Sequence, residues 1–302
     1  MKIAVAGGTG FVGKALVSAL TDRGDEVWVI SRKEQRQSEA AAAVRRITWE
    51  QLESDPLLLK GIDGIVNLAG ETINQRWTDG AKQRILHSRL TAAQRLARMA
   101  DALPEPPQVL VNASATALYG NSLSETFDED SPVSDGDGDF LSSVVRQWEQ
   151  AAMSIRARRS VLLRVGIVVG MNGGALPQML LPFRLFAGGP VGSGKQWMSW
   201  IHLDDMVRLL LFSLDNSSIS GPVNATSPDP VRNEDFGRAI AASLGKPFWL
   251  PVPAFMLKLL FGELAVLLLE GQRAVPKKAL AAGFTYRYGT IQAAMDHLLR
   301  SH

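Results

Sequence analysis

Ile3-Ala4-Val5-Ala6-Gly7-Gly8-Thr9-Gly10-Phe11-Val12-Gly13 joins an apolar strand to an amphipathic helix through a loop that few residues other than glycine could form. Gly7 permits the tight turn out of the strand. Gly10 lets backbone N–H groups approach an anion, and Gly13 lets the helix pack closely on the strand. The helix from about Phe11 directs its positive dipole end at the same point. In this strand-and-helix context the spacing reads as a dinucleotide pyrophosphate site formed by Gly7, Thr9, Gly10, Phe11, Val12 and Gly13. A second strand, Glu26 to Ile30, completes a β-α-β unit. Where NAD sites place an acid about 20 residues past the glycines, this chain has Ser31-Arg32-Lys33. A guanidinium there suits a 2′-phosphate, so NADP(H) is the expected cofactor; the plainer alternative is a solvated basic turn.

The remaining pattern alternates strands and helices. Residues 34–44 and Arg76 to Arg98 have helical character, and Arg45 to Trp49 resembles a third strand. Ile62 to Gly70 is a buried strand ending in Asn-Leu-Ala-Gly, which sets Leu68, Ala69, Gly70 and Glu71 at the cofactor crevice. Val109 to Ala113 continues into the polar cluster Ser114-Ala115-Thr116-Ala117-Leu118-Tyr119-Gly120. A helix from about Phe140 to Arg158 precedes a sixth strand, Val161 to Val169, and Pro222 to Thr226 forms a seventh. The expected fold is α/β: a doubly wound parallel sheet (Rossmann) with a smaller, mainly helical C-terminal substrate domain. Residues 1–170 form the first unit, with 201–227 returning to it, and 171–302 form the second.

Several chemistries are disfavoured. With 32 Lys+Arg against 30 Asp+Glu, nothing calls for nucleic acid or a membrane. Without cysteine, and with four scattered histidines, no zinc spacing exists, and no metal is expected. The Asp135, Asp137, Asp139 alternation fails as a calcium loop, because Phe140 and Arg146 occupy the positions that need Gly and Glu. Gly192-Ser193-Gly194-Lys195 lacks the Gly-Lys-Ser/Thr ending of a Walker loop. No signal peptide is visible, so cytoplasm is the expected location. Oligomeric state is left open.

Together, Gly-Gly-Thr-Gly-Phe-Val-Gly, Asn-Leu-Ala-Gly and Ala-Ser-Ala-Thr-Ala-Leu-Tyr-Gly make the chain resemble an extended short-chain dehydrogenase/reductase, a relative of nucleotide-sugar epimerases. More narrowly, it is similar to an atypical NAD(P)-dependent epimerase-like family. The marks are Asn67 to Glu71, Arg76-Trp77, Ser88-Arg89, Trp148-Glu149, Gly189 to Trp197, Ser199 to His202, Pro276-Lys277-Lys278 and Ala282-Gly283-Phe284. Family members lack a defined substrate, and some are described as cell-division inhibitors.

The resemblance also implies a departure. Typical members use Tyr-x-x-x-Lys, and alignment on Glu149 puts Leu141 and Val145 at those positions. Acid/base candidates are then Ser114, Thr116 and Tyr119, with Glu71, Arg76, Trp148, Trp200 and His202 on the substrate side. Tyr119 could instead only line the site, Glu71 and Arg76 could form a structural ion pair, and the tryptophans could be core. The expected function is NADP(H)-dependent epimerisation or oxidoreduction of a small carbonyl, hydroxyl or nucleotide-sugar substrate. The alternative is a non-catalytic NADPH-binding sensor or partner-binding module.

Overall fold

The computed structural model describes residues 1–33, 44–133 and 139–300. In chain order the first half comprises β1 (Lys2–Ala6), α1 (Phe11–Asp22), β2 (Glu26–Ser31), β3 (Val44–Thr48), α2 (Trp49–Ser54), β4 (Gly64–Asn67), α3 (Asp79–Ala102), β5 (Val109–Ala115), β6 (Thr126–Phe127) and α4 (Phe140–Met153). The second half comprises β7 (Ser160–Val165), β8 (Ile167–Val169), α5 (Leu176–Arg184), β9 (Trp197–Met198), β10 (Trp200–His202), α6 (Leu203–Asp215), β11 (Gly221–Ala225), β12 (Val231–Arg232), α7 (Asn233–Leu244), α8 (Ala254–Phe261), α9 (Val266–Leu269), β13 (Arg273–Ala274), α10 (Lys277–Ala281) and α11 (Ile291–Arg300).

Seven strands form one parallel sheet in the order β11-β7-β5-β4-β1-β2-β3. Winding runs outward from β1 to β3 and restarts at β4 on the other side of β1. The crevice between the carboxyl ends of β1 and β4 is therefore where a ligand is expected. Alternation along the strands feeds two cores. Ile3 and Val5 face Leu16 and Leu20 of α1 and Leu209 and Leu210 of α6. Ala4 and Ala6 face Leu96 and Met99 of α3. Ala279 of α10 and Phe284 join the first of these cores. A third buried cluster unites Leu176 and Leu180 of α5, Trp200, Phe236 and Ile240 of α7, and Met295 of α11. The fold is thus the doubly wound α/β arrangement, with a further helical body built from the later part of the chain.

Besides β4, which spans only Gly64–Asn67 of the strand expected over Ile62 to Gly70, four details differ from the sequence-based expectation. Trp49 opens α2 instead of closing a strand: the Thr48 hydroxyl accepts from the Gln51 N–H and the Gln51 side chain accepts from the Thr48 N–H, a reciprocal cap. The helix expected from Arg76 starts at Asp79, where the Thr78 hydroxyl accepts from the Ala81 N–H. The helix expected to reach Arg158 ends at Met153. The single strand expected over 161–169 is two. At Gly166 the chain leaves the main sheet, and β8 pairs with β10. A Cβ on Gly166 would lie 2.2 Å from the Ser199 carbonyl oxygen, so only glycine allows that crossing. The helical reading of 34–43 and the acids Asp135 and Asp137 lie outside the described residues.

Candidate functional site

The glycine loop is built as its sequence requires. Gly7 has φ +81°, and a Cβ there would meet the Leu68 carbonyl carbon and oxygen at 2.6 Å. A Cβ on Gly13 would come within 2.2 Å of the Gly7 oxygen. Neither position can carry a side chain without displacing backbone. Gly10 donates to the Gly7 carbonyl at 3.0 Å and begins α1, and no side chain caps that helix. The N–H groups of its first turn are therefore free of side-chain competition for an anion. Thr9 and Gly10 are exposed, Phe11 and Val12 half-buried. Gly170, Gly173 and Gly174 close around Phe11; an added Cβ would lie 2.7–2.9 Å from its ring. The glycines after β8 therefore serve the loop directly. Ser31 ends β2 with its hydroxyl donating to the Lys33 carbonyl at 2.8 Å, and Arg32 is exposed beside it.

Asn-Leu-Ala-Gly forms the opposite wall. The Asn67 amide donates to Asn112 Oδ1 at 2.6 Å, and Asn67 Oδ1 accepts from the Ala69 N–H at 3.2 Å, which fixes the turn facing Gly7. Gly70 rests on the Arg89 guanidinium, whose Cζ would lie 3.0 Å from an added Cβ. Arg89 donates to the Glu71 and Ile85 carbonyls at 3.1 and 2.9 Å and lies over the Trp148 ring at 5.0 Å. Burial pushes its pKa down to about 10. Ser88 accepts from the Glu71 N–H at 2.9 Å. Glu71 pairs with Arg84 at 3.1 Å and not with Arg76, which is exposed. Hydrogen bonds from Gln75 and then Arg84 hold the Glu71 carboxyl below its ordinary pKa.

Past β5 lies a buried polar chain. Ser114 Oγ donates to Glu149 Oε1 at 2.5 Å, and Arg164 binds both oxygens of that carboxylate at 3.0 and 3.1 Å. Arg164 also donates to the Tyr119 hydroxyl at 3.0 Å, which in turn donates to Asn224 Oδ1 at 2.8 Å. Tyr119 is 4% exposed, stacks on Phe127, and has its pKa raised by burial. Its hydroxyl is thus enclosed between two protein partners. Thr116 Oγ1 accepts from the Gln272 amide at 2.7 Å. Arg164 and Asn224 were not foreseen as part of the site, although an arginine inside Val-Leu-Leu-Arg-Val has to find a buried partner.

Leu141 and Val145 are both buried. Leu141 packs with Trp77, Ile85 and Leu264, so the α9 side of the chain closes on an apolar face there. Trp148 is buried, with no partner for its indole N–H among the described residues. Trp200 is fully buried and donates to the Asp229 carbonyl at 3.0 Å; it is a core residue. His202 is also buried, 1% exposed. Its Nδ1 accepts from the Asp204 N–H at 3.0 Å as the cap of α6, and its Nε2 lies 3.2 Å from His297 Nδ1. His202, Asp204 and His297 bring ligand-type atoms within 4.8 Å of one another, but both His202 nitrogens are already engaged.

This sheet, loop and wall define an extended short-chain dehydrogenase/reductase of the atypical epimerase-like kind. The chain belongs to the NAD dependent epimerase/dehydratase family, which matches residues 3–225. A Domain of unknown function (DUF1731) matches residues 252–298. Epimerase family protein YfhF of Bacillus subtilis is 42% identical over 305 residues, covering 99% of this chain and 98% of that protein. Human epimerase family protein SDR39U1 is 38% identical over 304 residues, covering 99% and 100%. The crystal structure of human SDR39U1 (isoform 2) with NADPH superposes with a TM-score of 0.91 at 39% identity over 100% of both chains. A nucleoside-diphosphate sugar epimerase from Corynebacterium glutamicum matches with a TM-score of 0.75 at 30% identity, over 99% of this chain and 58% of that one.

Proposed function

We propose that the protein binds NADP(H) between the Gly7–Gly13 loop and the Leu68–Gly70 wall. There it catalyses oxidoreduction or epimerisation of a small hydroxyl, carbonyl or nucleotide-sugar substrate. The observation that carries this reading is the glycine cradle, in which a Cβ on Gly7 or Gly13 would displace backbone while the α1 N-terminus stays uncapped. NADPH in the human relative's crystal structure supports it. Gly7, Thr9, Gly10, Phe11, Val12 and Gly13 hold the pyrophosphate; Ser31 and Arg32 meet the 2′-phosphate; Leu68, Ala69 and Gly70 form the facing wall. When bound, the dinucleotide supplies a hydride donor or acceptor. Ser114 stands at the end of β5 with its hydroxyl oriented by Glu149, and Arg89 fixes the backbone of Gly70 and Glu71. Arg32→Ala should weaken NADPH by at least about tenfold, the worth of a charge-assisted contact, and leave NADH within about twofold. Equal losses for the two nucleotides would refute the 2′-phosphate assignment.

A second reading, an NADPH-binding sensor or partner-binding module without turnover, is favoured by two observations. The Tyr and Lys positions are filled by buried Leu141 and Val145, and the Tyr119 hydroxyl is enclosed. Incubation with NADPH or NADP+ and a panel of carbonyls, alcohols and sugar nucleotides separates the two, with nicotinamide absorbance reading net oxidoreduction and product chromatography reading epimerisation, which returns the hydride and leaves the cofactor's redox state unchanged. Turnover that Ser114→Ala abolishes establishes the enzyme. Tight binding with neither an absorbance change nor an altered substrate supports the sensor.

A further inference from the structure

Residues 246–261 leave the helical body with most of their apolar side chains outward, Phe248 alone stacking back on Phe183 and Leu257 alone being buried. Gly188 and Val191 bridge Phe248 and Val252 in parallel, and the Trp249 indole N–H donates to the Phe186 carbonyl at 2.9 Å. This strap ties the end of α5 to the start of α8. Along it Leu185 is 68% exposed, Trp249 64%, Phe255 71% and Leu259 80%, with Phe186 and Leu260 also exposed. Of the eight residues of α8 only Leu257 is buried. Phe186 is the one non-glycine residue with positive φ, 59°, among the described residues, a conformation that costs a bulky side chain energy. Its ring lies 3.8 Å from the Lys246 ammonium. The exposed apolar surface is on the order of 1,000 Å², above the roughly 300–600 Å² of the largest patch on a typical soluble monomer.

Charge decides what covers this face. The stretches 171–203 and 236–262 contain Arg184, Lys195, Arg238, Lys246 and Lys258 and no Asp or Glu. The acids on adjoining elements are mostly engaged: Glu234 with Arg238, Glu263 with Lys82, Asp204 with Arg287, Asp205 with Arg208 and Asp296 with Arg300, while Glu270 accepts from Asn121 and Asp235 lies in the first turn of α7. A two-fold contact between copies would bring two sets of these cations into one interface with no acid of either face to neutralise them. Anionic headgroups would neutralise them while the acyl boundary takes up the leucines and phenylalanines. The near-neutral charge of the whole chain hides this local separation. Among the described residues no helix is long and apolar enough to cross a membrane, so contact would be with one leaflet.

We propose that the face formed by α8, the 248–252 strap and the end of α5 docks on the surface of an anionic lipid bilayer. The test is flotation of the full chain with vesicles of phosphatidylcholine alone or of phosphatidylcholine with phosphatidylglycerol, with NADPH binding as the control for folding. The protein should float with the anionic vesicles only, and less so as salt rises. Lys246→Ala and Lys258→Ala should each lower partition roughly fivefold. Leu259→Ser combined with Leu260→Ser should lower it more than about tenfold, with NADPH binding unchanged. Failure to float with either vesicle, or equal flotation with both and no effect of the lysines, overturns the proposal. So does a dimer in sedimentation velocity that the leucine variant dissociates without any lipid binding, because a second copy would then cover the face.

Discussion

Glu149 holds the buried polar chain together: its carboxylate accepts from Ser114 and from two nitrogens of Arg164, with both charged side chains nearly enclosed. Burial works against the charge on Arg164, but hydrogen bonding and attraction from Glu149 outweigh it and raise the Arg164 pKa. Arg164→Met should therefore cost about 3–5 kcal/mol in urea unfolding, because it strands a buried carboxylate. Tyr119→Phe should cost about 1–3 kcal/mol, since it leaves Asn224 Oδ1 without its donor, and should leave NADPH affinity intact. If Tyr119→Phe instead ends turnover at unchanged stability, the tyrosine is catalytic and its structural assignment fails. The sequence shows that Ser114, Thr116 and Tyr119 follow a strand. It does not show that the Tyr119 hydroxyl turns inward to residues 45 and 105 positions away, because such pairing arises only when β5, β7 and β11 assemble.

At the scale of elements, the strand-loop-helix unit at the amino terminus was fully legible, since its glycines answer to local backbone geometry. The role of the later glycines was not. Gly170, Gly173 and Gly174 carry no local pattern that names their role, yet they make room for Phe11, some 160 residues earlier in the chain. The division between β7 and β8 was equally hidden: both halves are apolar, and periodicity cannot show that a strand changes partner at Gly166. The loop itself is the sharper object for test. Gly13→Ala forces a Cβ against the Gly7 oxygen, and overpacking of this kind costs about 1–3 kcal/mol. The variant should unfold at lower urea and bind NADPH more weakly, because α1 must move away from the turn that positions its N–H groups. Wild-type affinity in a stably folded Gly13→Ala protein would mean that the cradle does not position the phosphates.

Across the whole molecule, the C-terminal helix is tied to the Rossmann core through a pair of histidines. His202 caps α6, which belongs to the first core, and His297 lies on α11, which belongs to the third. The Tyr288 ring lies tilted at 4.0 Å from His202, while Asp205 accepts from the backbone N–H groups of Arg287 and Tyr288 and pairs with Arg208. Burial pushes His202 down to about 4 from 6.5; Asp204 and Asp205 oppose that shift, and His297 and Arg287 add to it. A histidine whose folded pKa is depressed binds fewer protons folded than unfolded. Its contribution is therefore complete above the unfolded value and is lost as pH falls. Thermal stability should decline between pH 6.5 and about 4, and hydrogen exchange in α11 should accelerate over the same interval. His202→Gln keeps an acceptor for the Asp204 N–H and a donor for His297 but cannot charge, so its profile should be flatter over that range. Parallel profiles for the two proteins would place the acid sensitivity elsewhere, with the buried Glu149–Arg164 pair as the next group to examine.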